Sequence, residues 1–366
     1  MIHTGISCDI FCRVIDNFGD IGVTWRLARQ LSLEHGVTVR LIVDNLASLA
    51  RLAPLVDCAA ESQEVCGVTI LHWGQDHNLD LAPARLVIEA FAVNLPETYV
   101  VAMAAMAAPP VWLNLEYLSA ESWVGGHHLL PSPQPRLPLK KYFFFPGFTP
   151  ATGGLIRENR LLAERDAYLS TSRESRLDIL LFAYRNATAP ALIRAIRESA
   201  RLTRCTVPEG ELASTLAQGR DPRTISSGVA AIEAIKFVPQ PDFDRLLWRH
   251  DVLFIRGEDS FVRAQWAAKP FVWQIYPQSE NIHWIKLNAF LDLYCDGLAG
   301  DTALALRGLW RAWNAEDSQN IGVAWRSFEE KLPDLRAHAE AWSRKLAQMP
   351  DLATNMLNFY QKTIKI

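Results

Sequence analysis

Runs of apolar residues alternate with amphipathic stretches along the first 117 residues of the chain. Each run is seven or eight residues long, which is typical of a strand buried on both faces, and several of the intervening stretches have helical spacing. Because buried strands that alternate with helices form a parallel sheet covered on both sides, this pattern predicts an α/β domain. The predicted strands are residues 8–15, 37–44, 67–73, 85–92 and 110–117.

The predicted helix after the first strand spans residues 21–35. The residues that helical spacing places on its buried face are Val23, Leu27, Gln30 and Leu31. Arg26 and Arg29 fall outside this face, so we expect both to point to solvent.

Residues 118–155 interrupt the pattern, because they are rich in proline, glycine and serine. We interpret this segment as an interdomain connection. A second strand–helix series follows, and a helical tail rich in Trp and Leu begins near residue 303. The strands predicted in this series are residues 177–184, 231–238, 251–257 and 270–276, and the helices between them are residues 242–250 and 260–268. The chain is therefore expected to form two Rossmann-like, doubly wound domains that face each other across a cleft.

The composition is that of a globular protein, with 49% hydrophobic and 21% charged residues. No apolar stretch approaches the roughly 20 residues of a membrane helix, and the N-terminus has no signal-peptide pattern, so we expect a cytoplasmic protein without membrane association. The formal net charge of −3 divides into −5 for residues 1–150 (9 basic, 14 acidic) and +2 for the remainder (28 basic, 26 acidic). This balance argues against a nucleic-acid partner, which would require a basic face.

Cysteine and histidine spacing gives no sign of a disulfide framework or a metal centre. The six cysteines are scattered without a CxxC pair, and we expect all of them to be reduced thiols, mostly in the core. The nine histidines show no metal-ligand spacing, so no metal site is predicted.

Two carboxylates, Asp16 and Asp20, lie in the turn DNFGDIG, where the first predicted strand leads into the first helix. One carboxylate would suffice to cap the helix. The second favours a chemical role at the carboxyl end of the strand, where doubly wound domains bind their ligands.

The segment RGEDS, residues 256–260, occupies the equivalent position in the second domain. Gly257 would let the backbone approach a ligand, Ser260 would cap the next helix, and Arg256 would add a cation beside a phosphate. Glu258 suits a sugar or ribose diol. The alternative for this segment is an ordinary capped helix with acidic residues on its surface.

Two further strand ends in the second domain could complete a nucleotide pocket. Phe237 could lie on a base whose edge Gln240 reads, and Tyr184 could donate to a phosphate oxygen. The chain contains neither GxGxxG nor GxxxxGK[ST], which disfavours dehydrogenases and P-loop enzymes. A nucleotide-sugar donor in the second domain, with acidic chemistry supplied by the first, fits the pattern better.

Several segments closely resemble the EarP family of elongation factor P arginine rhamnosyltransferases, and the similarity runs nearly end to end. These segments are DIFCRVIDNFGDIGVTWRLARQL, NLEYLSAESWV, FAYRN, RGEDSFVRAQWAAKPFVWQIYPQ and the Trp-rich tail. The resemblance implies a GT-B fold and an inverting, metal-independent transfer of rhamnose without a cofactor. The donor would be dTDP-β-L-rhamnose, and the acceptor an arginine at the tip of a loop of elongation factor P, a factor that rescues ribosomes stalled at polyproline.

Matching the family motifs position by position implies a set of functional residues and a division into domains. The essential carboxylates would be Asp16, Asp20 and Glu258, with Asp20 as general base and Asp16 as clamp, or the reverse. The donor contacts would be Phe182, Tyr184, Phe237, Gln240, Arg256, Glu258, Asp259 and Ser260. Residues 1–152, completed by the C-terminal helix 346–366, would form the acceptor domain, and residues 153–345 the dTDP-rhamnose domain.

Two other interpretations remain open at this stage. Another GT-B enzyme, such as a nucleotide-sugar epimerase or a small-molecule glycosyltransferase, would share the RGEDS pocket but would not need to dock a protein. A catalytically silent module could bind elongation factor P without modifying it, although such a module would have no reason to keep the three carboxylates. A nicotinamide enzyme is less consistent with the missing glycine fingerprint.

Overall fold

A computed structural model describes residues 5–15, 18–74, 81–169, 176–199, 201–217, 226–227 and 230–365 of the chain. The chain forms two compact α/β units. Unit 1 consists of Met1–Asn159 and Met349–Ile366, and unit 2 consists of Arg160–Gln348.

Unit 1 is built on an eight-stranded sheet. Its strands are β1 (Ser7–Cys12), β2 (Thr38–Val43), β3 (Ser62–Val65), β4 (Val68–His72), β5 (Leu86–Ala90), β6 (Val111–Leu115), β7 (Pro131–Pro133) and β8 (Lys140–Phe144). Its helices are α1 (Gly19–His35), α2 (Leu46–Leu52), α3 (Glu97–Ala104), α4 (Val124–His127) and, from the end of the chain, α14 (Leu352–Ile364).

The strands of unit 1 lie in the order β3-β4-β2-β1-β5-β6-β8-β7. Six of them are parallel, and β3 and β7 pair antiparallel at the two edges. In register, Ile10 of β1 lies between Leu41 of β2 and Ile88 of β5, and all three are fully buried. The chain runs outward from β1 to β4 and then returns to β5 on the other side of β1. The carboxyl ends of β1 and β5 therefore flank the topological switch point, where doubly wound sheets bind ligands.

Unit 2 is built on a six-stranded sheet. Its strands are β9 (Leu177–Leu181), β10 (Thr203–Pro208), β11 (Ser226–Ser227), β12 (Ala230–Ile235), β13 (Val252–Arg256) and β14 (Phe271–Gln274). Its helices are α5 (Leu161–Leu169), α6 (Ala189–Glu198), α7 (Glu211–Ala217), α8 (Gln240–Trp248), α9 (Glu258–Ala267), α10 (Ile282–Tyr294), α11 (Gly300–Asn314), α12 (Ile321–Glu330) and α13 (Leu332–Ala347).

The sheet of unit 2 repeats the same winding. Its strand order is β11-β12-β10-β9-β13-β14, with only the edge strand β11 antiparallel. The switch point lies between β9 and β13, so FAYRN and RGEDS, which follow these strands, meet at one edge of the sheet.

The prediction that Arg26 points to solvent is wrong. Arg26 is 1% exposed, and its guanidinium pairs with Glu158, which lies 132 residues further along the chain. Gln30, one turn later on α1, donates to the carbonyl of Arg157 and to the Asp351 carboxylate. Polar side chains of α1 thus hold both the segment before unit 2 and the start of α14.

The interpretation of residues 118–155 as an interdomain connection is also wrong. This segment contains α4, β7 and β8, and β8 extends the sheet of unit 1 by pairing in parallel with β6. Its aromatic residues include Phe144, which is buried in the core. The proline-rich composition therefore reflects an edge hairpin rather than a linker.

Two expectations from composition can be compared with the structure. All six cysteines are free, with Cys58 and Cys66 exposed and the other four buried. Within the described ranges, no helix is long and apolar enough to cross a membrane.

Candidate functional site

Asp20 lies at the switch point of unit 1, in the first turn of α1, and is 2% exposed. Its Oδ2 accepts a hydrogen bond from the backbone N–H of Ile15 at 2.9 Å, which joins α1 to a residue that follows β1. Its Oδ1 accepts a hydrogen bond from the hydroxyl of Tyr117 at 3.2 Å. Both oxygens of this buried carboxylate are therefore oriented by defined donors. Asp16, the other carboxylate of the turn, lies outside the described residues.

An aromatic pair lies beside Asp20. The rings of Phe91 and Tyr117 are stacked, with centroids 4.4 Å apart and planes inclined by 17°. Phe91 follows β5 and Tyr117 follows β6, so both come from carboxyl ends of strands near the switch point. Tyr117 is 38% exposed although one of its faces is stacked on Phe91. We refer to these two residues as the Phe91–Tyr117 pair.

The loop after β5 that carries Phe91 has an unusual backbone. Phe91, Ala92 and Asn94 have φ values of 58°, 55° and 57°, in the left-handed region that favours glycine. Such conformations persist only when their surroundings enforce them, and they are found preferentially at functional sites. Sequence reasoning missed this loop, because none of its residues is a glycine.

At the switch point of unit 2, Arg256 covers two aromatic rings. Its guanidinium carbon lies 4.7 Å from the ring centroid of Tyr184 and 5.1 Å from that of Phe182. The backbone N–H of Tyr184 donates to Oε1 of Gln274 at 2.8 Å, which ties the end of β9 to β14. The guanidinium is therefore held over the rings at the same sheet edge as the start of α9.

Gly257, not Ser260, is the residue that precedes helix α9. Its φ of 70° and ψ of 177° form a combination that glycine adopts readily and other residues avoid. Ser260 lies inside the first turn, where its hydroxyl donates to the carbonyl oxygen of Arg256. The prediction that Ser260 caps the helix is thus wrong, because the glycine conformation lets α9 begin two residues earlier.

The acidic residues at the start of α9 differ in their surroundings. Oδ2 of Asp259 accepts from Nε2 of Gln240 and from Nε of Arg263, both at 3.0 Å, so this carboxylate joins α8 to α9. Glu258 and Phe237 are half-buried, at the amino end of α9 and after β12 respectively. Gln240 itself is 3% exposed.

Tyr276 is a further residue at this edge that was not among the site residues matched from the family motifs. It follows β14, is 56% exposed, and its ring lies 5.6 Å from that of Tyr184 in an edge-to-face arrangement. Its position at the end of the predicted strand 270–276 is the signal in the sequence that points to it.

Most of the described candidate residues thus lie in contact with one another within unit 2. Arg256 contacts both Phe182 and Tyr184, and Gln240 is hydrogen-bonded to Asp259. Asp20 belongs to unit 1. Among the residues described, no group of three or more His, Cys, Asp or Glu side chains is arranged to hold a metal ion.

Comparison with known proteins agrees with this architecture. Residues 8–361 match the family model described as elongation factor P (EF-P) rhamnosyltransferase EarP. A protein-arginine rhamnosyltransferase of Pseudomonas putida is 48% identical, covering 97% of this chain and 99% of that protein. The enzyme of the same name from Pseudomonas aeruginosa is 44% identical over 97% of this chain and 98% of its own length.

Two solved structures resemble the fold. One, described as the structural basis for EarP-mediated arginine glycosylation of translation elongation factor EF-P, has 35% identity and a TM-score of 0.67, covering 98% of this chain and 99% of its own. Acinetobacter baumannii MurG has a TM-score of 0.53 at 11% identity, with 97% of this chain and 99% of MurG covered, which shows a shared fold only. The fold is GT-B, as the sequence resemblance implied.

Proposed function

The chain belongs to the EarP family of rhamnosyltransferases and is a glycosyltransferase, and from this premise we propose that it transfers rhamnose from dTDP-β-L-rhamnose to an arginine of elongation factor P with inversion. The observation that carries the proposal is the 48% identity to a protein-arginine rhamnosyltransferase over 97% of the chain. The geometry at the two switch points supports it, because each holds residue types that one half of this reaction needs.

Arginine is a difficult acceptor, because its guanidinium has a pKa of roughly 12.5 or more and is protonated at neutral pH. Supplying the neutral form at pH 7 would cost about 7 to 9 kcal/mol, at 1.36 kcal/mol per pKa unit. Pairing the cation with a carboxylate before reaction would increase this cost, since an ion pair favours the charged form. The base must therefore act while the bond to the sugar forms.

Asp20 is suited to act as this base. Its carboxylate is buried and held at both oxygens, by the Ile15 amide and the Tyr117 hydroxyl, so little reorientation is needed when the proton arrives. In the proposed step a guanidinium nitrogen attacks the anomeric carbon, its proton passes to Asp20, and the bond from that carbon to the diphosphate oxygen breaks. Asp16 would clamp the guanidinium through a forked pair, which favours the charged form but fixes the position of the attacking nitrogen.

The donor would be bound by unit 2. The amino end of α9 offers backbone amides and the positive end of a helix dipole to the diphosphate, and Arg256 adds a cation beside Tyr184. These groups would stabilise the charge that develops on the leaving diphosphate, so the proposal requires no metal. Phe182, Phe237 and Gln240 would hold the nucleotide base of the donor. The sugar and phosphates would be held by Glu258, Asp259 and Ser260. Attack opposite the departing diphosphate would convert a β-linked donor to an α-linked product.

The test is intact-protein mass spectrometry of the cognate elongation factor P after incubation with this protein and dTDP-β-L-rhamnose. We expect a gain of one deoxyhexose, which peptide fragmentation then places on a single arginine. A parallel reaction with dTDP-glucose is the control for donor choice. No gain of mass, with donor binding established by calorimetry, would contradict the proposed acceptor and favour another GT-B reaction.

A further inference from the structure

In the proposed reaction the hydroxyl of Tyr117 holds Asp20, but the stacked rings of the Phe91–Tyr117 pair have no role. We propose that the pair is the platform on which the acceptor guanidinium stacks, and that the Tyr117 hydroxyl orients Asp20 toward that guanidinium. This proposal rests on the proposed function and extends it by assigning a subsite to the acceptor side chain.

The exposure of Asp20 and Tyr117 supports this assignment. Asp20 is 2% exposed, whereas Tyr117, which is hydrogen-bonded to its Oδ1, is 38% exposed. An incoming cation therefore meets the tyrosine ring before it reaches the carboxylate. Planar guanidinium groups stack on aromatic faces, and an aromatic ring beside a carboxylate attracts the cation while leaving its nitrogens free to react.

The stacking partner Phe91 is held in place at considerable conformational cost. Three hydrogen bonds keep the left-handed loop in its conformation: Phe91 N–H to the Leu115 carbonyl at 2.7 Å, Ala92 N–H to Asn114 Oδ1 at 3.1 Å, and Asn94 N–H to Glu89 Oε1 at 3.0 Å. Asn114 and Glu89 are buried polar side chains, with 1% and 0% exposure. A loop that needs two buried polar groups to fix its backbone is built to present Phe91 in one position.

The hydroxyl of Tyr117 acts on Asp20 without taking part in the proton transfer. A carboxylate oxygen has two lone pairs, so Oδ1 can accept from Tyr117 and still receive a proton from the guanidinium. The tyrosine keeps its own proton throughout the step. It is therefore a positioning residue through its hydroxyl and a substrate contact through its ring.

These two roles are separated by two variants in steady-state kinetics with elongation factor P as the varied substrate. Tyr117→Phe keeps the ring, so the acceptor KM should stay within twofold while kcat falls about tenfold, because Asp20 loses a charge-assisted donor. Tyr117→Leu loses the aromatic ring as well as the hydroxyl, so the acceptor KM should rise about tenfold in addition to the fall in kcat. In both variants the KM for dTDP-β-L-rhamnose should be unchanged.

Tyr142→Leu is the matched control, since it removes a half-buried tyrosine of the same unit whose ring lies 5.0 Å from that of Phe359. Its acceptor KM should equal that of the unaltered protein. A lowered kcat at an unchanged acceptor KM in Tyr117→Phe, with both constants altered in Tyr117→Leu, is the result that a merely structural role would not produce. If Tyr117→Leu keeps both constants within twofold, the platform is wrong although the proposed function stands. If the unaltered protein transfers no rhamnose, the proposed function fails and the platform falls with it.

Discussion

The guanidinium of Arg26 and the carboxylate of Glu158 form two parallel hydrogen bonds, with Nε to Oε1 at 2.6 Å and Nη2 to Oε2 at 2.7 Å. The Arg26 side chain is fully buried and that of Glu158 is 30% exposed. Removing one partner from such a pair leaves a charge without compensation in a partly desolvated site. Arg26→Ala should therefore lower the free energy of unfolding by about 2 to 4 kcal/mol in urea denaturation.

The control is a variant that removes the arginine of an exposed ion pair. Arg160 and Glu164 approach to 3.5 Å on the surface, and the Arg160 side chain is 87% exposed. Arg160→Ala should change stability by less than about 0.5 kcal/mol. Equal losses of unfolding free energy in the two variants would show that the buried pair stabilises the protein no more than the exposed pair.

Asp20→Asn should abolish rhamnose transfer. The amide keeps an oxygen that can accept from Ile15 N–H, so the turn is preserved, but it cannot take the proton. We expect kcat to fall at least about 100-fold, the usual contribution of a general base, while dTDP affinity measured by calorimetry stays near normal. Turnover close to that of the unaltered protein would exclude Asp20 as the base.

Ser260→Ala combined with Tyr184→Phe should weaken dTDP binding about tenfold. Ser260 lies in the first turn of α9 and the ring of Tyr184 lies beneath Arg256, where the diphosphate is proposed to bind. Calorimetric titration with dTDP measures the change. Tyr168→Phe, which alters a tyrosine of α5 whose ring lies 5.9 Å from that of Trp248, is the control and should bind dTDP normally. An affinity unchanged in the double variant would contradict the proposed pocket.

Transfer should continue after treatment with EDTA. The proposed stabilisation of the leaving diphosphate comes from Arg256 and the backbone amides of α9, which a chelator does not remove. The rate of mass gain on elongation factor P, measured before and after chelation, should agree within twofold. A loss of activity that added magnesium restores would overturn the metal-free mechanism.

His250, which follows α8, should make the protein less stable in mild acid. Its side chain is fully buried and its Nδ1–H donates to the Leu246 carbonyl at 2.6 Å, and burial lowers its pKa from 6.5 to about 4. The unfolded chain then binds more protons than the folded chain between these values. The contribution of His250 to stability is therefore complete above pH 6.5 and is lost as the pH falls toward 4.

The expected slope is at most about 1.4 kcal/mol per pH unit for one group. Urea unfolding at several pH values between 6.5 and 4.5 measures it, and His250→Leu should reduce the slope by about that amount. An identical slope in the two proteins would show that other groups cause the acid sensitivity.

Strands with continuous apolar runs could be predicted from the sequence, whereas strands of polar or mixed composition could not. Nine predicted strands correspond to β1, β2, β4, β5, β6, β9, β12, β13 and β14, and the segment 352–364 was expected to be helical and is α14. β10 was missed, because Thr, Arg and Pro break the apolar pattern of TRCTVP, although the strand is buried between two parallel neighbours.

The details of the site depended on partners far away in the sequence. The burial of Arg26 follows from Glu158, which no periodicity could indicate, since helical spacing describes only the helix itself. The left-handed backbone at Phe91 is likewise enforced by side chains on β5 and β6. By contrast, Tyr184 and Arg256 lie at the carboxyl ends of β9 and β13, where the predicted strands end, because the winding of the sheet fixes where strand ends meet.

The return of the last helix to unit 1 sets an order of events during synthesis. The Gln30 amide donates a hydrogen bond to Asp351, and the N–H of Leu352 donates to the Leu155 carbonyl at 3.0 Å. The chain therefore leaves unit 1 for unit 2 and later re-enters unit 1 at adjoining points. Unit 2 is continuous and has all its residues once position 348 has been translated, whereas unit 1 still lacks α14 at that moment. A nascent chain can therefore complete its proposed donor half while the half that carries Asp20 still lacks α14.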